Sequence, residues 1–235
     1  MINYLFDVDG TLTPSRGVMD SDFQRLLIRF LSRERKAGNK VFFVTGSDKD
    51  KTIEQVGLQL WMSVDGSFQN SGNQLYKKGK FVSENDWTLP KSVENSIRQE
   101  ITKSVWNGTA SNNVEKRVGM VNISTVGRDC TQQQRSYYYQ WDLQWKERED
   151  IVSRLSAKYP ELEFAIGGQI SIDVYPKGND KSQVLKEING RTVFFGDNCV
   201  EGGNDYSISK LCDEYYNVRD WKETKDILSK PMTIN

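Results

Sequence analysis

The sequence predicts an α/β protein: a parallel-sheet core flanked by helices, interrupted by an inserted α/β unit with its own antiparallel sheet. Three observations lead there. Short, almost wholly apolar runs (YLF at 4–6, KVFFV at 40–44, RTVFF at 191–195) read as strands buried on both faces, as in parallel sheets. A helical pattern separates the first two runs, and strand, helix, strand implies a right-handed parallel crossover. Residues 83–177 are more polar and carry alternating strand patterns suited to an antiparallel sheet with one wet face. The expected division is therefore a core of 1–82 and 178–235, with 83–177 spliced into it.

In order, Tyr4, Leu5, Phe6 and Val8 form the first strand, which runs into Asp7-Val8-Asp9-Gly10-Thr11. Residues 20–36 space Phe23, Leu26, Leu27, Phe30 and Leu31 at helical intervals, with Asp20, Ser21 and Asp22 as cap candidates and Gly38 past the end. The strand at 40–44 ends in Thr45-Gly46-Ser47. A helix over 50–60, a strand within 63–70 and a hairpin over 75–82 through Lys77-Lys78-Gly79-Lys80 follow. In the insert, helices are expected near 91–104 and 132–158, and strands over 118–126, 163–166 and 170–175. The core resumes with a helix over 181–188, the strand at 191–195, a strand at 215–218 and a helix over 220–228.

Composition narrows the function. Of 235 residues, 37% are hydrophobic and 11% aromatic, enough for a core. Lys plus Arg and Asp plus Glu are both 32, so no net positive charge points to nucleic acid or an anionic membrane. No apolar run approaches the roughly 20 residues of a membrane span, and the acidic N-terminus does not read as a signal peptide. Cys130, Cys199 and Cys212 lack C-x-x-C spacing and read as free thiols of a reducing compartment, so a cytoplasmic protein is expected. Histidine is absent, which leaves acid–base work to carboxylates, Lys or Tyr.

The chemistry concentrates at strand ends. Ligands in parallel sheets gather at the carboxyl ends of strands, where Asp7, Asp9, Thr45 and Ser47 converge. Paired carboxylates there suit a hard cation, or a nucleophile beside an acid. A hydroxyl and backbone N–H groups at Thr45-Gly46-Ser47 suit a phosphate, although the tripeptide alone reads equally as a turn or helix cap. A second buried strand delivers Gly196-Asp197 and, after a glycine-rich loop, Asp205. Asp7, an oxygen at Asp9, Asp197 and Asp205 are thus the candidate Mg²⁺ ligands. Ser171 and Asp173 alternate with Ile170, Ile172 and Val174 and share one strand face. Tyr137, Tyr138, Tyr139, Trp141 and Trp145 read as helix packing or dimer contact.

These residues resemble the motifs of the haloacid dehalogenase (HAD) superfamily: Asp7-x-Asp9-Gly10-Thr11 the first, Thr45/Ser47 the second, Lys181 the third, Gly196-Asp197 with Asp205 the fourth. FDVDGTLTPSR at 6–16, RVGMVNISTVGR at 117–128, GGQISIDVYP at 167–176 with Asp180-Lys181, and FFGD at 194–197 with GGND at 202–205 further resemble the eukaryotic-type phosphomannomutases. The blocks are collinear and cover most of the chain. Departures occur at Asn70-Ser71-Gly72, Asn179, Tyr215-Tyr216-Asn217 and 106–113.

The resemblance implies a HAD-like Rossmannoid core with an α/β cap. It implies Asp7 as nucleophile, Asp9 as proton donor and acceptor, and Lys181, Thr45 and Ser47 in the catalytic group. Sugar-phosphate contacts fall on Arg16, Arg117, Arg128, Arg135, Ser171 and Asp173, and metal contacts on Asp7, Asp9, Asp197 and Asp205. It further implies Mg²⁺, a hexose 1,6-bisphosphate activator, a cap-mediated homodimer, and a place in mannose metabolism that supplies GDP-mannose. A sugar-phosphate phosphatase of the same fold and a non-catalytic sugar-phosphate binder are the alternatives.

Overall fold

A computed structural model describes residues 1–106 and 111–230. The chain divides into two compact units: Met1–Glu84 with Asn179–Glu201 and Asp205–Asn235, and Asn85–Gly178 with Gly202–Asn204. Residues 107–110, within the 106–113 departure, lie outside the described residues.

The first unit opens with β1 (Ile2–Phe6), then α1 (Ser21–Lys36) and β2 (Lys40–Val44). Asp20 caps α1, its carboxylate accepting from the Phe23 N–H at 2.9 Å. The helix buries Phe23, Leu27, Phe30 and Leu31, four of the five residues its periodicity selects. The helix expected over 50–60 is instead two, α2 (Lys49–Val56) and α3 (Leu58–Ser63), because Gly57 takes φ 82° and breaks the run. β3 (Gly66–Gln69) precedes the hairpin of β4 (Gln74–Lys77) and β5 (Lys80–Glu84). Lys78 and Gly79 both have positive φ, as a two-residue turn of the right twist demands.

In the second unit, α4 (Lys91–Thr102) is followed by β6 (Val114–Arg117) and β7 (Met120–Ile123). The single strand expected over 118–126 is therefore the second arm of a hairpin whose first arm, VEKR, shows too little apolar alternation to be read. The helix expected over 132–158 is α5 (Gln132–Trp145) and α6 (Glu147–Lys158), broken where Lys146 adopts φ 57°. β8 (Leu162–Gly167) and β9 (Ser171–Pro176) complete the antiparallel sheet, ordered β6-β7-β9-β8. Val121, Ile123, Phe164, Ile172 and Val174 cluster with Val93 and Ile97 of α4 and Ile151 and Leu155 of α6. The opposite face is polar but not wet as expected: Asn122 is 3% exposed and Asp173 7%. Asn122 donates to Asp173, Arg117 and Arg128 bond Glu115 in the same row, and Asn122 Oδ1 has no hydrogen-bond partner among the described residues. On α5, Tyr138 is buried and packs against Trp106, whereas Tyr137 and Trp145 are exposed.

The first unit closes with a 3-10 turn at Lys181–Glu187, β10 (Arg191–Gly196), α7 (Tyr206–Leu211), β11 (Glu214–Asn217) and α8 (Trp221–Leu228). Its sheet runs β11-β10-β1-β2-β3-β4-β5, parallel through β3 and antiparallel over the final hairpin. Phe6, Phe195 and Tyr216 stand in register across three strands, their rings stacked at 4.7 and 4.6 Å. This aromatic row fixes the carboxyl ends of β1 and β10 relative to each other, one residue before Asp7 and two before Asp197. Among the described residues no helix is long and apolar enough to cross a membrane.

Candidate active site

The site of the first unit grows from the ends of β1 and β10. The Asp7 N–H donates to the Phe195 carbonyl at 2.9 Å and extends the ladder by one bond. The chain then leaves the sheet: the Leu12 and Thr13 N–H groups return to the Val8 carbonyl, and Gly10 adopts φ 91°. A Cβ on Gly10 would stand 2.6 Å from Asp197 Cγ, so only glycine lets the two acidic loops meet. This turn separates the two early aspartates. Asp7 is buried, whereas Asp9 is half-buried and its Oδ1 accepts from the Arg16 N–H and from Gln55 Nε2 at 3.1 Å. Gln55 Nε2 also donates to Thr13 Oγ1 at 3.2 Å.

Asp7, Asp197 and Asp205 come together, each offering an oxygen within 4.8 Å of the others. Lys181, 1% exposed, donates from Nζ to Asp7 Oδ1 and to Asp205 Oδ1, both at 2.6 Å. The other Asp205 oxygen accepts from the Asn198 N–H at 3.2 Å, and Gly196 clears the way, since a Cβ there would fall 2.6 Å from Asp205 Oδ2. One ammonium thus faces three carboxylates. Burial raises the Asp7 pKa well above the ordinary range, and Asp205 and Asp197 push the same way against Lys181. Asp197 reaches solvent, but the protein packed around its carboxylate, and then the charge of Asp205, raise it to about 7. Burial alone would depress Lys181; the charges of Asp205 and Asp7 more than offset this and raise it. A concave set of hard oxygen donors with unbalanced negative charge suits Mg²⁺. Asp7, Asp197 and Asp205 are the side chains placed to hold it. The Asp9 carboxylate lies outside this trio, which leaves its backbone oxygen as the candidate donor.

Thr45, buried, accepts the Ser47 N–H on its hydroxyl at 3.1 Å, an ordinary turn bond. Beside it Asn70, Ser71 and Gly72 take φ of 50°, 58° and 94° in succession. The Asn70 N–H bonds Ser47 O and the Ser71 N–H bonds Thr45 O, so this left-handed run clamps the Thr45–Ser47 loop. Thr11 Oγ1, fully buried, has no hydrogen-bond partner among the described residues. Arg16 sits in the exposed turn after the first motif with φ 57°.

The second unit brings Arg117, Arg128, Ser171 and Asp173 together on its sheet. Glu115, Asn122 and Asp173 occupy one register row across β6, β7 and β9. Asn122 Nδ2 donates to Asp173 Oδ1 at 2.6 Å. Arg128 donates from a terminal nitrogen to Ser171 Oγ at 2.8 Å and from Nε to Glu115 Oε2 at 2.7 Å. Arg117 Nε donates to Glu115 Oε1 at 3.0 Å. Burial works against the Glu115 charge, but Arg117 and Arg128 outweigh it and lower its pKa. Arg135 is buried on α5. Arg148 and Asp142 form a buried ion pair at 2.7 Å, and Arg148 also donates to the carbonyls of Gly167, Gly168 and Ser171, pinning the turn before β9. Sequence reasoning missed Glu115, Asn122 and Gln55. The alternation Glu115-x-Arg117 could have found the first; nothing local marks the others.

The family model described as eukaryotic phosphomannomutase matches residues 27–231, beginning after the first acidic motif. The chain is 36% identical over 217 residues to the phosphomannomutase of Encephalitozoon cuniculi (strain GB-M1) and 37% identical over 225 residues to that of Galdieria sulphuraria. Both alignments cover 87% of this chain and 83% of the relative. Among solved structures it resembles a HAD-superfamily subclass IIB sugar phosphatase with TM-score 0.58 and 17% identity, over 92% of this chain and 93% of that one. The last similarity is one of fold.

Proposed function

The chain belongs to the eukaryotic phosphomannomutase family, and from that premise we propose that it interconverts hexose 6-phosphate and hexose 1-phosphate, with mannose as the sugar, through a phosphoryl group carried on Asp7. The observation that carries this reading is the buried Lys181 ammonium held at 2.6 Å from both Asp7 and Asp205, beside Asp197. Lys181 occupies Oδ1 of Asp7 and leaves Oδ2 as the attacking oxygen. A bound Mg²⁺ supplies charge neutralisation between the carboxylates and the incoming phosphoryl group.

Asp7 displaces the sugar oxygen and becomes the acyl phosphate, while Asp9 gives that oxygen a proton. In the reverse direction Asp9 takes the proton from the sugar hydroxyl that attacks the phosphoaspartate. Lys181 offsets the charge that accumulates on Asp7. Thr45 and Ser47 hold the reacting phosphate through hydroxyl and backbone N–H. A mutase must present each phosphate of a hexose 1,6-bisphosphate to Asp7 in turn, so the second phosphate needs its own grip. Arg16, Arg117, Arg128 and Arg135 provide it by bidentate guanidinium contacts, and Ser171 and Asp173 bond the sugar. The bisphosphate is then the activator that loads Asp7. We extend the proposal to a cytoplasmic homodimer formed through the Asn85–Gly178 unit, on which Tyr137 and Trp145 of α5 are exposed.

Phosphorus NMR with mannose 1-phosphate, Mg²⁺ and a catalytic amount of hexose 1,6-bisphosphate tests the reading. Mannose 6-phosphate appears with the native chain and not with Asp7→Asn. Free phosphate without isomerisation would make the chain a sugar-phosphate phosphatase, and saturable binding without turnover would make it a binder.

A further inference from the structure

We propose that Glu115 is the positioning residue of the arginine grip, a resident carboxylate that sets two guanidiniums in one orientation for the second phosphate of the sugar; the inference rests on the reading above. Glu115 divides its two oxygens, Oε1 accepting from Arg117 Nε at 3.0 Å and Oε2 from Arg128 Nε at 2.7 Å. Both bonds are made to the inner Nε. A guanidinium clasps a phosphate best through paired donors in one plane, and a partner on Nε fixes that plane. Arg128 is held at a second point by Ser171 Oγ at 2.8 Å, so the orientation reaches β9 as well.

The electrostatics agree. Arg117 and Arg128 are 14% and 12% exposed, and two such cations sharing one carboxylate would repel each other without it. The strand supports the arrangement. Glu115 and Arg117 are two residues apart on β6 and share a face, and Glu115 lies opposite Asn122, which is itself bonded to Asp173. Arginine rotamers are many, and holding both side chains before substrate arrives removes an ordering cost from every binding event.

A positioning residue for a non-reacting phosphate acts on binding of the ground and transition states alike, so its removal raises KM more than it lowers kcat. The test is steady-state isomerisation of mannose 1-phosphate by the Mg²⁺-loaded full chain and by Glu115→Ala and Glu115→Gln, each with a thermal melt. We expect KM to rise at least tenfold in Glu115→Ala with kcat falling less than threefold. Glu115→Gln keeps one acceptor and recovers part of the loss, with KM raised three- to fivefold. Glu115→Gln also serves where the alanine variant does not fold. A KM within twofold of the native value in the folded variants overturns the inference, as does a loss carried wholly by kcat. Absence of isomerisation in the native chain overturns the mutase reading instead, so the two failures are separate.

Discussion

Lys181 Nζ stands 2.6 Å from Asp7 Oδ1, a contact between residues 174 positions apart in which both partners are almost fully buried. The same ammonium reaches Asp205 Oδ1 at 2.6 Å. Breaking a buried ion pair by deleting one member leaves an uncompensated charge, which costs about 3–5 kcal/mol. Lys181→Met is therefore expected to destabilise the metal-free chain by about that amount in urea unfolding. Mg²⁺ should return part of the loss, because a cation among Asp7, Asp197 and Asp205 replaces the missing positive charge. Isomerase activity should nevertheless fall by about three orders of magnitude, the scale of losing one preorganised charge partner. A variant as stable as the native chain would show that Asp7 and Asp205 do not both carry charge.

Asp197 supplies a pH test. Its pKa in the metal-free chain is raised to about 7 from an ordinary carboxylate value of 3.8. A group that binds its proton more tightly when folded adds stability that is full below the unfolded pKa and lost as pH rises through the folded one. The metal-free protein is thus expected to lose stability between about pH 4 and pH 7 on account of this group, opposite to the usual carboxylate trend. Protons and Mg²⁺ compete for the same oxygens, so Mg²⁺ affinity should fall about tenfold per pH unit below 7. Calorimetric titration at pH 5.5, 6.5 and 7.5 measures it, and a flat affinity would remove Asp197 from the ligand set.

Ser71 has φ 58° between two other left-handed residues. A β-branched side chain there costs about 2 kcal/mol in backbone strain, whereas glycine is at home. Ser71→Val should unfold at distinctly lower urea than Ser71→Gly, and the glycine variant should match the native chain to within about 0.5 kcal/mol. Because the Ser71 N–H holds Thr45 O, the valine variant should also bind phosphate esters more weakly. Equal stabilities for the two variants would mean that the turn relaxes freely.

What was legible in the sequence was what short-range physics controls. The strand over Lys40–Val44 and the capped helix after Asp20 follow from apolar spacing and a single carboxylate, and both occur as written. The acidic clusters were legible because glycines beside Asp9 and Asp197 mark loops that must approach closely. The breaks at Gly57 and Lys146 were not legible, for different reasons. Gly57 lies inside an otherwise helical pattern, and Lys146 turns left-handed where Asp142 Oδ1 captures the Arg148 N–H six residues on. β6 was missed because its four residues, VEKR, gain their order from pairing with β7 and from the Glu115 bonds. The separation of Asp9 from Asp7 was also hidden. Spacing of two implies one face only while the strand continues, and β1 ends at Phe6.

That separation leads to Gln55, 46 residues from Asp9 and bonded to its Oδ1 at 3.1 Å. The Arg16 N–H shares the same oxygen, which leaves Oδ2 as the atom to carry the proton in the proposed reaction. Gln55 is 1% exposed and also ties Thr13 Oγ1, so it fixes the acid–base carboxylate against the turn of the first motif. Gln55→Leu removes one of two donors and keeps the bulk. We expect kcat to fall about tenfold, a fraction of the 10²–10⁴ that a well-placed general acid supplies, with KM changed less than threefold. Stability should change by less than about 1 kcal/mol, because Asp9 keeps the Arg16 N–H, Thr13 keeps the Val8 carbonyl, and the leucine removes a buried Gln55 Oε1 that has no partner among the described residues. Gln55→Glu sets a second carboxylate against Asp9 and should lose more activity than the leucine variant despite being nearer in shape. If both variants turn over at the native rate, Asp9 is oriented by the Arg16 backbone alone and the glutamine is only a packing residue.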